Sequence, residues 1–168
     1  PYGSFPIYLL KFLGGMFAHL NPKWATYDWL NFLGRITSGL ADIGVIILIY
    51  LLGKKIWSKK VGLLASLFYA LSVFPIQASH FYAVDTLLNL FILATLYRLI
   101  IFYEKPSLKN ALLIGVFFGL SLASKISATV LVSAIGTALL ADLILIFVKR
   151  LRQIRLVPKI HREFFDFF

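Results

Sequence analysis

Between Val61 and Val84 the chain runs without a lysine, arginine, aspartate or glutamate, and the stretch from Ile36 to Leu52 carries only Asp42. Runs of this kind leave few architectures open. About 20 apolar residues in helical form cross the ~30 Å hydrocarbon core of a bilayer, where each backbone N–H and C=O must find its partner inside the protein. Hydrophobic residues make up 60% of the chain and charged ones 14%, which is more apolar than a soluble domain of 168 residues tolerates. The fold class that follows is all-α, a polytopic transmembrane helical bundle.

The apolar and aromatic segment Phe5 to Leu20 is interrupted by Lys11 and by Gly14-Gly15, and is too short to cross. It is expected to lie at the membrane interface. Asn21-Pro22-Lys23 follows, and Trp24, Tyr27 and Trp29 supply aromatic side chains of the kind found at headgroup level. Residues 1–30 therefore read as an interfacial helix and external loop. Residues 31–148 divide into about five spans, near 32–52, 61–75, 83–103, 108–123 and 128–148. The second reaches full thickness only if the chain stays helical through Ile76 and Gln77, and Pro75 is expected to break or kink it. Ser107 is placed to cap the fourth, whose Gly115 and Gly119 form a small-xxx-small pair that would admit another helix closely. Residues 149–168 read as a basic cytoplasmic segment interrupted by Pro158. The whole is one transmembrane domain.

Formal charge is +10, and its distribution matters more than its size. Thirteen of the seventeen lysines and arginines fall in the stretches 53–60, 98–109 and 149–162, against Lys11, Lys23, Arg35 and Lys125 on the other side. The positive-inside rule makes the first side cytoplasmic. The cations are thus a topology signal, and no nucleic-acid partner is expected. An integral protein of the plasma membrane follows, with Arg35, Lys125 and the His80–Asp85 stretch on its external or periplasmic face. There is no cysteine, which removes disulfide, thiol and Cys-metal chemistry. A start on Pro1 without a charged n-region, and an end on Phe164-Phe165-Asp166-Phe167-Phe168, suggest a fragment of a longer protein with no signal peptide.

Pro75 to Asn89 places His80 and Asp85 between two apolar runs. An ionisable side chain at the mouth of a span is costly and marks a functional site by default. The structural account of Asp85 is a carboxylate at a helix N-terminus, favoured by about 0.3–1 kcal/mol. On a continuous helix Gln77, Phe81, Asp85 and Asn89 share a face, which His80 joins only if a loop precedes Ala83. His80 suits a proton shuttle, a metal ligand or a phosphate partner. One histidine with one aspartate is a thin donor set, so a divalent metal is neither required nor excluded. Arg35 reads either as a snorkelling side chain or as a donor fork for an anionic headgroup or phosphate. Lys125 reads as a solvated turn lysine or a phosphate contact. Asp42 reads as a polar interhelical contact, and Asp142 as a buried polar contact near the cytoplasmic end. No Gly-rich phosphate loop, Ser-His-Asp order or metal-spaced histidine pair is present.

Five stretches in order carry a family resemblance: Tyr2-Gly3-Ser4-Phe5-Pro6-Ile7-Tyr8-Leu9-Leu10, Gly34-Arg35-Ile36-Thr37-Ser38-Gly39-Leu40, Lys60-Val61-Gly62-Leu63-Leu64-Ala65, Ser79-His80-Phe81-Tyr82-Ala83-Val84-Asp85-Thr86-Leu87 and Gly119-Leu120-Ser121-Leu122-Ala123-Ser124-Lys125. Together they resemble the N-terminal half of GT-C membrane glycosyltransferases, the protein O-mannosyltransferase and aminoarabinose transferase superfamily. The resemblance implies transfer of a sugar from a polyprenyl-phosphate donor to a protein, lipid or glycan acceptor on the external face. It also implies that the main catalytic carboxylate lies in a first external loop upstream of Tyr2, so that an isolated fragment lacking it is expected to be inactive. Asp85 and His80 carry over as catalytic candidates, and Arg35, Lys125, Tyr82 and Gln77 as substrate-binding candidates. The rival class is a secondary transporter using Asp42 and Asp142 as coupling carboxylates, although no internal repeat supports it. A non-catalytic membrane scaffold is the third reading.

Overall fold

The computed structural model describes residues 3–133, 135–137, 140, 144, 147 and 148, and is helical throughout its regular structure, with no strand among the described residues. It divides into two compact units, Pro1–Thr129 and Val130–Phe168. In the second, the described residues 130–133, 135–137, 140, 144, 147 and 148 are helical. The basic segment from Lys149 onward, Pro158 and Asp142 lie outside the described residues.

The first unit opens with α1, Phe5–Ala18, which has Pro6 in its first turn, where a missing N–H costs nothing. A short 3-10 turn, Pro22–Ala25, follows, with the Asn21 side chain accepting from the Lys23 N–H at 3.0 Å. Helix α2 is Tyr27–Ile56, 30 residues and about 45 Å long. Asp28 sits in its first turn and Lys54 and Lys55 in its last, each at the end where the macrodipole favours its charge. The Ser58 hydroxyl then accepts from the Val61 N–H at 3.3 Å and caps α3, Lys59–Ala70. After a break come α4, Val73–Ser79, then α5, Val84–Glu104, and α6, Leu108–Ser124. The expected cap at Ser107 is present, its hydroxyl accepting from the Asn110 N–H at 3.2 Å. A 3-10 turn, Ile126–Thr129, closes the unit.

Three expectations need correction. The first span begins five residues earlier than the apolar run suggests, because Tyr27, Trp29 and their neighbours are already helical. The break in the second segment falls at Leu71–Ser72, upstream of Pro75, and turns the chain by 61°. Proline i obstructs the carbonyl of residue i−4, here Leu71, so Pro75 terminates α3 from a distance and then sits without penalty in the first turn of α4. Among the described residues no helix makes a close approach at Gly115 and Gly119: no described atom lies within 4 Å of where their Cβ would be. The close approaches run instead through Gly53 and Gly62, where the α2–α3 hairpin brings the two backbones together.

Helix α5 packs against both α2 and α6, and α2 also against α3. On α2 the buried positions Gly34, Ser38, Ala41 and Val45 form one narrow face of small residues facing the core. Leu87, Leu88, Ala94 and Thr95 of α5 are buried in the same core. The buried hydroxyls of Thr95, Ser121 and Ser124 bond carbonyls of their own helices at 2.7, 2.7 and 2.8 Å, which satisfies them without water. The outward faces are apolar: Leu40, Ile43 and Ile47 of α2, Leu63, Leu67 and Phe68 of α3, and Leu112 and Val116 of α6 are all exposed. A bundle with small residues inside and large aliphatic ones outside is solvated by lipid.

Two helices, α2 and α5, are long and apolar enough to cross a membrane, and α3 with α4 makes a third if the bent pair is one span. Helix α6 is apolar but shorter, at 17 residues. Ion pairs mark the two ends of the unit. Lys55 Nζ lies 2.6 Å from Glu104 Oε2, joining the C-terminal ends of α2 and α5, while Lys125 joins Asp85 at the opposite end of α5.

Candidate active site

The Asp85 end is assembled from four separate segments. Helix α4 ends at Ser79, and residues 80–83 form a turn before α5 begins, so Asp85 stands in the first turn of α5 with His80 on the preceding turn. The loop needed to release His80 from the helical stripe is therefore present. The partner of Asp85, however, is Lys125: its ammonium donates to Oδ1 at 2.6 Å from the residue that follows α6. Both side chains remain partly open to solvent, 30% for Lys125 and 38% for Asp85.

His80 is exposed, and its Nδ1 lies 2.6 Å from the carbonyl oxygen of Ile76. A carbonyl can only accept, so Nδ1 donates in this contact, and Nε2 is the ring nitrogen left for other partners. Gln77 is exposed on α4. Although α4 and α5 are separate helices, Gln77, Phe81 and Asp85 do come together, with Phe74, Ala78 and Ala83, around a recess of about 370 Å³.

Tyr82 anchors the site. Its phenol donates to the Pro6 carbonyl, and its ring packs so closely on α2 that a Cβ at Gly34 would stand 2.8 Å from the Tyr82 Cβ. The Gly3 N–H donates to the Ser124 carbonyl at 2.9 Å, immediately before Lys125. The N-terminal segment is thus stitched to the same end of the bundle through residues 3 and 6. Half-buried in this packing, the Tyr82 phenol is pushed up to about 12 by loss of solvent. Arg35 follows Gly34 and so lies at the level of Tyr82, exposed and unpaired among the described residues, two turns inside α2.

Sequence reasoning missed the partner of Asp42. The Tyr69 hydroxyl donates to Asp42 Oδ1 at 2.7 Å, joining α3 to α2. A tyrosine 27 residues away carries no periodic signal that would have announced it. Asp42 is accordingly an interhelical contact, as its bland reading expected. No three His, Asp or Glu side chains come together among the described residues in a way that could hold a metal ion. By themselves Asp85 and His80 supply two donor groups, fewer than a divalent ion takes from a protein site.

An apolar helical bundle with spans of this length, and an acid–base pair at one end, defines an integral membrane protein. The chain belongs to the dolichyl-phosphate-mannose-protein mannosyltransferase family, whose family model matches residues 30–158. This is a GT-C family of membrane glycosyltransferases of the mannosyltransferase type, in line with the resemblance carried by Gly34–Leu40 and Ser79–Leu87. No curated protein and no solved structure matches the chain at a significant level.

Proposed function

We propose that the intact protein transfers a mannose-type sugar from a polyprenyl-phosphate donor to a protein, lipid or glycan acceptor at the external face of the plasma membrane. The observation that carries this reading is the Lys125–Asp85 pair, an acid and a cation brought to one end of an apolar bundle in a chain of mannosyltransferase type. Asp85 holds a substrate hydroxyl. Lys125 and Arg35 supply positive charge for the lipid phosphate as it departs, the term that preorganised cations contribute to such transfers. His80, protonated at Nδ1, accepts or relays a proton through Nε2. Gln77 contributes an amide to substrate binding, and Tyr82 positions the N-terminal segment against the site.

In the same reading the bent α3–α4 pair is one broken span, and α6 and the helical segment after Lys125 are two more, which makes five. The test is transfer of radiolabelled mannose from a polyprenyl-phosphate donor by the full-length protein in proteoliposomes. Transfer by the wild type and its loss in Asp85→Asn is the expected result. Full transfer by Asp85→Asn and by Lys125→Ala would remove the site from the reaction.

A further inference from the structure

Six lysines gather at the end of the first unit opposite Asp85. Lys54, Lys55, Lys59 and Lys60 lie in one corner, where the backbones of α2 and α3 touch: a Cβ on Gly53 would stand 2.7 Å from the Gly62 Cα. Lys105 and Lys109 flank the α5–α6 turn, and the Lys55–Glu104 bridge ties that turn to the α2–α3 corner. All six are exposed. Glu104 is the one carboxylate at this end among the described residues, and Lys55 takes it. Lys59 and Lys60 open α3, and Lys109 lies in the first turn of α6, at the helix end where the macrodipole repels a cation. Neither first turn holds an acid to offset that repulsion. The arrangement is unfavourable within the protein, and anions outside it reverse the sign. Between the lysine pairs Ile56 is 49% and Trp57 71% exposed, and indole side chains of this kind favour the boundary between headgroups and acyl chains. A lipid leaflet offers negative charge and an apolar layer to the same corner, at the level where the span α2 ends.

We propose that the α2–α3 corner is a binding surface for anionic glycerophospholipid headgroups, with Lys54, Lys59 and Lys60 holding the phosphates and Trp57 seated at the headgroup boundary. Lys55 is spent on Glu104 and serves to hold the corner against the α5–α6 turn, whose Lys105 and Lys109 extend the positive surface. A lysine near an anionic surface raises affinity by about fivefold, and salt screens the effect within a Debye length. The Gly53–Gly62 contact is what concentrates the charge, because it lets α3 start directly beside the end of α2. The surface lies at the far end of the bundle from Asp85, and it depends neither on the transferase reading nor on which leaflet it meets.

The experiment reads Trp57 fluorescence in the full-length protein carrying Trp24→Phe and Trp29→Phe, which leaves Trp57 of the three tryptophans. The protein is placed in nanodiscs of phosphatidylcholine and phosphatidylglycerol at one fixed composition, with bromine on the acyl chains of one lipid or of the other. Brominated phosphatidylglycerol is expected to show a relative association at Trp57 at least about fivefold above that of brominated phosphatidylcholine, falling as salt is raised. Lys54→Gln, Lys59→Gln and Lys60→Gln together should bring the two lipids level, while the same three positions as arginine, or Lys11→Gln with Lys23→Gln at the other end, keep the preference. Equal quenching by the two lipids in the parent protein overturns the surface and turns the lysines toward an acidic protein partner. A preference that survives the three glutamines, is lost with the three arginines, or ignores salt also overturns it, and the salt arm needs no variant to fold.

Discussion

Lys125 Nζ lies 2.6 Å from Asp85 Oδ1, although the two residues are 40 positions apart and belong to the ends of different helices. The contact joins the first turn of α5 to the residue after α6, so it exists only because those helices run antiparallel side by side. Each side chain keeps about a third of its surface open, and a pair in that setting contributes only about 0–1 kcal/mol to stability. Its chemistry and its contribution to folding can therefore be separated by mutation.

Asp85→Asn is expected to lower sugar transfer by about 10²-fold, within the range for a group acting directly on a reacting proton or hydroxyl, while Tm in detergent changes little. The reversed pair Asp85→Lys with Lys125→Asp should recover the ion pair and leave activity low. Recovery of activity in the reversed pair would show that the contact is structural only.

Gly62→Ala is expected to destabilise the α2–α3 hairpin. A Cβ there stands 2.5 Å from the Tyr50 carbonyl oxygen and 2.8 Å from the Lys54 nitrogen, both backbone atoms that cannot rotate away. The cost of such overpacking is about 1–3 kcal/mol. Gly115→Ala, with no described neighbour within 4 Å, should instead stabilise α6 by about 0.5–1 kcal/mol through helix propensity. Thermal unfolding of the two variants in the same detergent reads the contrast.

Tyr82→Phe removes the hydroxyl that donates to Pro6 and should cost about 1 kcal/mol, with faster amide exchange at residues 5–10. The same hydroxyl sets a pH dependence. Burial holds the folded phenol at about 12, above its ordinary value near ~10, so on raising pH the unfolded chain loses this proton first. The contribution is fully present below the unfolded value and is lost as pH rises from about 10 to 12. Unfolding measured across that window should show a fall in wild-type stability that is smaller in Tyr82→Phe.

The absence of cysteine from the sequence makes topology directly measurable. A single cysteine at Phe81, which is exposed at the Asp85 end, should react with a membrane-impermeant maleimide applied from outside intact cells. One at Trp57, exposed at the Lys55 end, should react only after permeabilisation. The opposite labelling pattern would invert the assignment made from lysine and arginine counts.

The helices were legible because their signals are local. Apolar run length, Ser107 as a cap, Pro75 as a breaker and Asp85 at a helix start are properties of a few adjacent residues, and the elements appear within a few positions of where those residues put them. The displaced kink at Leu71–Ser72 is the same local rule acting four residues upstream of the proline. Gly115 and Gly119 meet no helix among the described residues, because small residues permit a close approach without naming the helix that makes it. Gly53 and Gly62 are used because the α2–α3 turn folds one onto the other.

Taken alone, the sequence determined that this chain is helical and lipid-solvated, and that Asp85, His80, Arg35 and Lys125 are rare polar groups in an apolar chain. Backbone hydrogen bonding in hydrocarbon permits little else, and charge is costly there wherever it occurs. Only the tertiary structure decided which of these groups meet. It gave Asp85 to Lys125 rather than to His80, tied Tyr82 to Pro6, and brought Phe74, Gln77, Phe81 and Asp85 to one open recess. Pairings between helices depend on crossing geometry and on which small faces nest, and neither is encoded in the spacing of residues along one helix.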